Sequence, residues 1–257
     1  MKHITLTLCF LLICFSHWAK ADESVITFTI AKPVRAYPPY HWQGESKTEG
    51  LIPEIIEAMV KRSENLTVKY INVPWKRMFE LTRAGEVNTI MPINRNTERE
   101  AYLSFVAEPL INERMNFISS TAFNIEFDGD INKLAQHQVA GIAGYYYGEA
   151  YNAANFETIE LPNEETQVRM LTAGRFPLAL MDANVLPHYL NKAGEAPEYE
   201  IKVLQPPIYE SELHLAFSQN SKHAYLTETL VEHLLNLKQS PEYQAILARH
   251  LSCPTMK

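Results

Sequence analysis

Arg99 is the side chain in this sequence best suited to hold an anion, because its planar fork of N–H donors matches a carboxylate in bidentate fashion. Asp182 is its complement. It closes the apolar run Leu178-Ala179-Leu180-Met181 and can accept from an ammonium. Tyr37 and Trp75 offer aromatic faces that can wall an apolar group or stack on a cation. Gly144-Tyr145-Tyr146-Tyr147-Gly148 follows a second apolar run, and backbone N–H groups after Gly144 can add donors at a helix start. Together these groups suit a small zwitterion with a carboxylate, an ammonium and a modest apolar part. Signatures of hydrolases, zinc peptidases and nucleotide binders are absent from the sequence. The nine histidines lack ligand spacing, so no metal site, no cofactor and no catalytic residue is expected.

Composition narrows the partners. With 46% hydrophobic and 21% charged residues in a chain of 257, the sequence is neither disordered nor fibrous. Thirty acidic against 23 basic side chains give a net charge of −7 without any basic run. That speaks against nucleic acid and against anionic lipid surfaces, both of which need clustered Lys and Arg.

The first residues have a different task. Met1-Lys2-His3 is a short basic opening, Ile4 to Phe15 is apolar apart from threonine, and Ala19 and Ala21 fit the small-residue rule for cleavage. The apolar run is shorter than the roughly 20 residues that span a bilayer core. A signal peptide over residues 1–21 is therefore expected, and its removal would take the charge from −7 to −9 by deleting Lys2 and Lys20. Cys9 and Cys14 would leave with it. Cys253 would remain alone and could form no intrachain disulfide.

The elements that must position these residues alternate. Val25 to Ala31, Thr67 to Val73 and Asn88 to Ile93 read as strands from their β-branched content. Between them, helices are expected from Leu51 to Val60, with Pro53 in the first turn, and from Trp75 to Ala84, ended by Gly85. That order implies parallel pairing with crossovers. A second run begins near Asn116, with strands at Val139–Ala143 and Leu178–Met181 and a helix from Glu164 to Ala173. The pair Glu164-Glu165 reads as a solvated helix start. Leu213 to Phe217 returns to the first unit, and two helices finish the chain. The expected fold class is thus α/β with two lobes, the second inserted in the first and joined by two hinge segments. Residues 22–117 and 212–257 form lobe 1, and residues 118–211 form lobe 2. The chemistry-bearing residues fall at strand ends, where open parallel sheets collect ligands.

At these residues the sequence resembles the bacterial extracellular solute-binding proteins of the polar amino-acid type. The resemblance is carried by Tyr37-Pro38-Pro39-Tyr40, Gly50-Leu51-Ile52-Pro53-Glu54, Pro74-Trp75-Lys76-Arg77, Gly85-Glu86-Val87-Asn88 and Asn96-Thr97-Glu98-Arg99 with Phe105 and Pro109. The second lobe matches through Val139 to Gly144 and Ala173-Gly174-Arg175 ahead of Asp182. The resemblance implies lobes closing over a ligand like a hinged clamp. By position, Arg99 would hold the ligand α-carboxylate and Asp182 its α-ammonium, with Tyr37 and Trp75 flanking the side chain. Pro92 and Asn94 would offer backbone and amide contacts, and Tyr145 and Tyr146 main-chain donors. Asn94 and Tyr146 depart from the residues usual at their positions.

The expectation that follows is a non-enzymatic, monomeric periplasmic receptor that passes a small polar ligand, an amino acid, to an inner-membrane permease complex. Two alternatives stand beside it. One is an enzyme on the same scaffold, dehydratase-like, with Glu108 or His188 as acid or base. The other is a ligand-sensing subunit for a membrane signalling partner.

Overall fold

The computed structural model describes residues 24–192 and 199–251. The expected signal peptide and Cys253 lie outside these described residues. Among them, no helix is long and apolar enough to cross a membrane.

The first lobe begins with β1 (Ile26–Pro33), a strand that is buried along its second half. A short hairpin of β2 (Trp42–Gln43) and β3 (Thr48–Glu49) leads into α1 (Leu51–Val60). The entry turns on Gly50 at φ +122°, where a Cβ would sit 2.6 Å from the carbonyl oxygen of Tyr40. Only glycine tolerates both the conformation and the approach. Next come β4 (Leu66–Val73), α2 (Trp75–Ala84) and β5 (Thr89–Ile93). As the alternation requires, β1 pairs in parallel with β4 on one side and with β5 on the other. Helix α2 stops at Gly85, whose φ of +76° is the left-handed cap that glycine supplies most cheaply. The lobe continues with α3 (Thr97–Glu100) and β6 (Leu103–Phe105).

Strand β7 (Ile111–Ser120) crosses into the second lobe. There follow a 3-10 turn (Ile131–Leu134), β8 (Val139–Ile142), α4 (Glu149–Ala153), β9 (Thr158–Leu161), α5 (Glu164–Thr172) and β10 (Leu178–Asp182). Helix α6 (Leu186–Lys192) and β11 (Ile201–Val203) complete it. Strand β12 (Tyr209–Ser218) returns to the first lobe, which α7 (Leu226–Lys238) and α8 (Pro241–Leu251) close.

The two crossing strands join the lobes. The first half of β7 pairs antiparallel with the first half of β12, and its second half pairs with β10. The second half of β12 pairs with β5. One continuous strand order results, β4-β1-β5-β12-β7-β10-β8-β9. Both crossing strands run longer than their sequence suggests. Asn112 to Arg114 and Glu210 to Glu212 are polar because they bridge the gap between two cores, which hides their strand character from a hydrophobicity pattern.

Burial is two-sided in the second lobe. Leu178 and Leu180 pack with Phe117, Val139, Tyr147 and Tyr151, while Ala179 and Met181 turn to the opposite side with Val168 and Leu171 of α5. Each such large side chain contributes about 1.5–3 kcal/mol by leaving water. This strand therefore presents Asp182, its last residue, at a fixed point of the lobe junction.

Candidate functional site

The amino end of α2 places Trp75 and, one turn on, Phe79 at the carboxyl ends of β4 and β5. Trp75 meets the Phe79 ring edge-on at 5.1 Å. The Arg99 guanidinium lies over Phe79, 5.1 Å from its centroid. It is oriented by Asn94, whose carbonyl accepts from Nη1 at 2.8 Å and whose side-chain oxygen accepts from the same nitrogen. Asn96 caps α3 by accepting from the Arg99 N–H at 2.9 Å, so the backbone under the guanidinium is fixed too. Burial lowers the Arg99 pKa, with Tyr102, Glu98 and Tyr209 opposing.

From Trp75 the contacts run across the lobe junction. Tyr145, from the second lobe, packs on Trp75 at 5.8 Å and edge-on against Tyr37 at 6.4 Å. Tyr37 stacks on Tyr40 at 5.3 Å, and the Tyr40 hydroxyl donates to Asp182 Oδ2 at 2.8 Å. Asp182 is fully buried, and its oxygens also accept from the N–H groups of Arg114 at 3.0 Å and Asn184 at 2.6 Å. Burial raises its pKa, and these hydrogen bonds oppose the rise.

A second branch joins Arg99 to the hinge. Asn94 donates through Nδ2 to the Tyr209 hydroxyl at 3.4 Å, and the Tyr209 ring meets Tyr146 edge-on at 5.7 Å. Gly148, at φ +94°, makes room for that ring, since a Cβ there would lie 2.9 Å from Tyr209 Cδ2. Pro92 is buried within β5, two residues before Asn94. A cavity of about 360 Å³ opens beside this branch, lined by Asn94, Asn112, Tyr209 and Glu210 among others.

The eight residues singled out from the sequence therefore fall into one connected neighbourhood, with Pro92 as its buried support. Five further residues belong to it. Tyr40 and Phe79 sit beside motifs already noted, as the second tyrosine of Tyr-Pro-Pro-Tyr and one helical turn after Trp75. Tyr209, Glu113 and Glu164 carry no local signal. Glu113, in the polar crossing segment of β7, accepts from the Tyr37 hydroxyl at 2.6 Å. Its pKa is pushed up to about 8 by burial first, then by the charges of Asp182 and Glu164, with the Tyr37 hydrogen bond opposing. The hydroxyls of Tyr37, Tyr40 and Tyr145 are held protonated by burial and by these carboxylates, so they serve as donors.

Three expectations change. Glu164 is not solvated: it is 2% exposed and accepts from the Tyr145 hydroxyl at 2.7 Å, while its neighbour Glu165 faces water and pairs with Lys192. The helix starts at Gly148 rather than at Gly144 and has only five residues, so Tyr145 to Tyr147 form an irregular turn. The Tyr145 N–H is spent within that turn on the carbonyl of Ile142 at 3.1 Å, which leaves its ring and hydroxyl as what it brings to this neighbourhood. Neither acid–base candidate enters the neighbourhood. Glu108 is ion-paired with Lys238, and His188 is exposed on α6, beside a separate cavity of about 380 Å³.

The fold is a two-lobe α/β fold joined through β7 and β12. Residues 33–252 match the bacterial extracellular solute-binding proteins, family 3, and the chain belongs to that family. Among solved structures, it is similar to a histidine kinase sensor domain with similarity to periplasmic binding proteins, at 20% identity and a TM-score of 0.74 over 88% of this chain and 96% of that one. The substrate-binding protein of an amino acid ABC transporter gives 18% identity and a TM-score of 0.70, covering 88% and 100%. An ancestral amino acid-binding protein, a precursor of cyclohexadienyl dehydratase, gives 15% and 0.68, covering 88% and 95%. Comparison with curated proteins returns no match.

Proposed function

We propose that this chain is a periplasmic receptor that captures an amino acid between its lobes and delivers it to an inner-membrane transporter. Arg99 would bind the α-carboxylate and Asp182 the α-ammonium, with Tyr37, Trp75, Tyr145 and Tyr146 around the ligand side chain and Asn94 beside the carboxylate. The hinge would lie in β7 and β12, dividing 22–117 and 212–257 from 118–211. One observation carries this reading. A single unbroken run of touching side chains leads from Arg99 through Phe79, Trp75, Tyr145, Tyr37 and Tyr40 to Asp182, and it crosses the lobe junction at Tyr145. A guanidinium and a carboxylate in one connected neighbourhood match the α-carboxylate and α-ammonium of an amino acid, and the rings beside them suit its side chain.

The test is a thermal-shift screen of amino acids followed by calorimetry, since a ligand that binds only the folded state raises Tm. Arg99→Ala is expected to lose at least about a hundredfold in affinity, the scale of removing a desolvated charge partner. Unchanged affinity in that variant overturns the assignment.

Glu113 favours a second reading, an enzyme acting on a small carboxylate, because a carboxyl hydrogen-bonded to Tyr37 with a pKa of about 8 is poised for proton transfer near neutral pH. Turnover of small carboxylic acids by the purified protein, lost in Glu113→Gln, would establish it.

A further inference from the structure

Resting on the reading of the cleft as an amino-acid site, we propose that Glu113, backed by Asp182 and Glu164, is a second anionic anchor, and that the ligand is an amino acid carrying a second cation on its side chain, an amine or a guanidine.

Three carboxylates from β7, β10 and α5 converge on the inner end of the ring run. Among the described residues, no ion pair reaches any of them. The nearest basic side chain in sequence, Arg114, is turned outward onto Glu210 at 3.2 Å. What the carboxylates receive instead are neutral donors, the hydroxyls of Tyr37, Tyr40 and Tyr145 and two backbone N–H groups. Neutral donors satisfy lone pairs but do not cancel charge, and like charges brought together out of water repel.

The shortfall is local. Asp182 is fully buried and already accepts three hydrogen bonds. Glu113 accepts one, from Tyr37, and is only half-buried, so its remaining lone pairs are free for a ligand. Glu164 Oε2, on a side chain 2% exposed, has no hydrogen-bond partner among the described residues. An orphaned buried carboxylate oxygen is costly unless something positive comes to lie nearby. The faces of Tyr37, Trp75 and Tyr145 add the surroundings in which cations are favoured. A zwitterionic amino acid supplies one positive group to this corner. A basic amino acid supplies two.

The second cation changes the proton balance. Glu113 faces Tyr37 and Tyr40 from the loop after β1, Asp182 from β10, Glu164 from α5, and Tyr145 and Tyr147 from the turn after β8; among the described residues, no cation is one of the groups acting on it. With a pKa of about 8 it is mostly protonated at pH 7. Pairing with a side-chain cation ionises it, and the proton leaves to solvent.

Calorimetry of the purified protein at pH 7 with arginine, lysine and ornithine, set against glutamine, alanine and methionine, reads both consequences. The basic amino acids are expected to bind at least about tenfold tighter, and to release a proton that appears as a heat depending on the buffer's ionisation enthalpy. Glu113→Gln is expected to cut that preference by about tenfold or more and abolish the proton release. Neutral amino acids binding as tightly as basic ones overturns the inference, as does a preference unchanged in Glu113→Gln. Should that variant fail to fold, the ligand ranking and proton release of the unaltered protein decide alone. If no amino acid of either kind binds, the amino-acid reading fails and takes this inference with it; if neutral ones bind best, only this inference fails.

Discussion

At one end of the ring run a lone guanidinium is oriented by one neighbour, Asn94, five residues away in sequence; at the other, carboxylates from three separate elements are wrapped in tyrosine hydroxyls. An arginine carries five donors in a fixed fork and stays charged, so a short local segment suffices to present it. A buried carboxylate must be satisfied from outside its own element, and here the donors come from residues 37, 40 and 145. The arginine end is assembled locally, and the acid end exists only once both lobes have folded together. Their energetics should differ accordingly.

The largest contrast is expected in stability. Asp182→Ala strands the Tyr40 hydroxyl and the N–H groups of Arg114 and Asn184 in a buried place, so urea denaturation should show a loss of about 2–4 kcal/mol. Arg99→Ala, half-buried over Phe79, should cost no more than about 1 kcal/mol while removing ligand binding. Equal losses in the two variants would break the contrast.

An intermediate effect separates the ends by pH. A carboxyl whose folded pKa is raised stabilises fully below its unfolded value and loses that contribution as pH rises through the folded one. For Glu113 that window runs from about 4.5 to about 8. Between pH 6.5 and 8 the ligand-free protein should therefore weaken relative to Glu113→Gln by about 1 kcal/mol per pH unit. Parallel stability curves for the two would count against the buried acid cluster. The smallest effect is assigned to Tyr145→Phe, which keeps the ring on Trp75 and removes the donor to Glu164. Affinity should fall a few-fold, and stability by about 1 kcal/mol.

The same contrast accounts for what could be read in advance. The alternation of β1, α1, β4, α2 and β5 follows from hydrophobic period and from Gly85, and the observed bounds lie within a residue or two of the expected ones. Arg99, Asn94, Trp75 and Tyr37 were legible because each belongs to a short motif at a strand end. Glu113 was not, because its segment, Ile-Asn-Glu-Arg-Met-Asn, alternates no hydrophobic face while it crosses between cores. Glu164 misled for a physical reason as well. An acidic pair at a helix start normally faces water, and here the Tyr145 hydroxyl, supplied from 19 residues earlier, draws one member inward.

The ladder between β7 and β12, paired from Tyr209 opposite Met115 to Leu213 opposite Ile111, has a mechanical consequence. A slip of one residue would swing Met115 and Leu213 out of the interior, so the ribbon resists sliding and stretching and gives way only to flexing and torsion. Any approach of one half toward the other would therefore come from bending or twisting of this ribbon with its register kept.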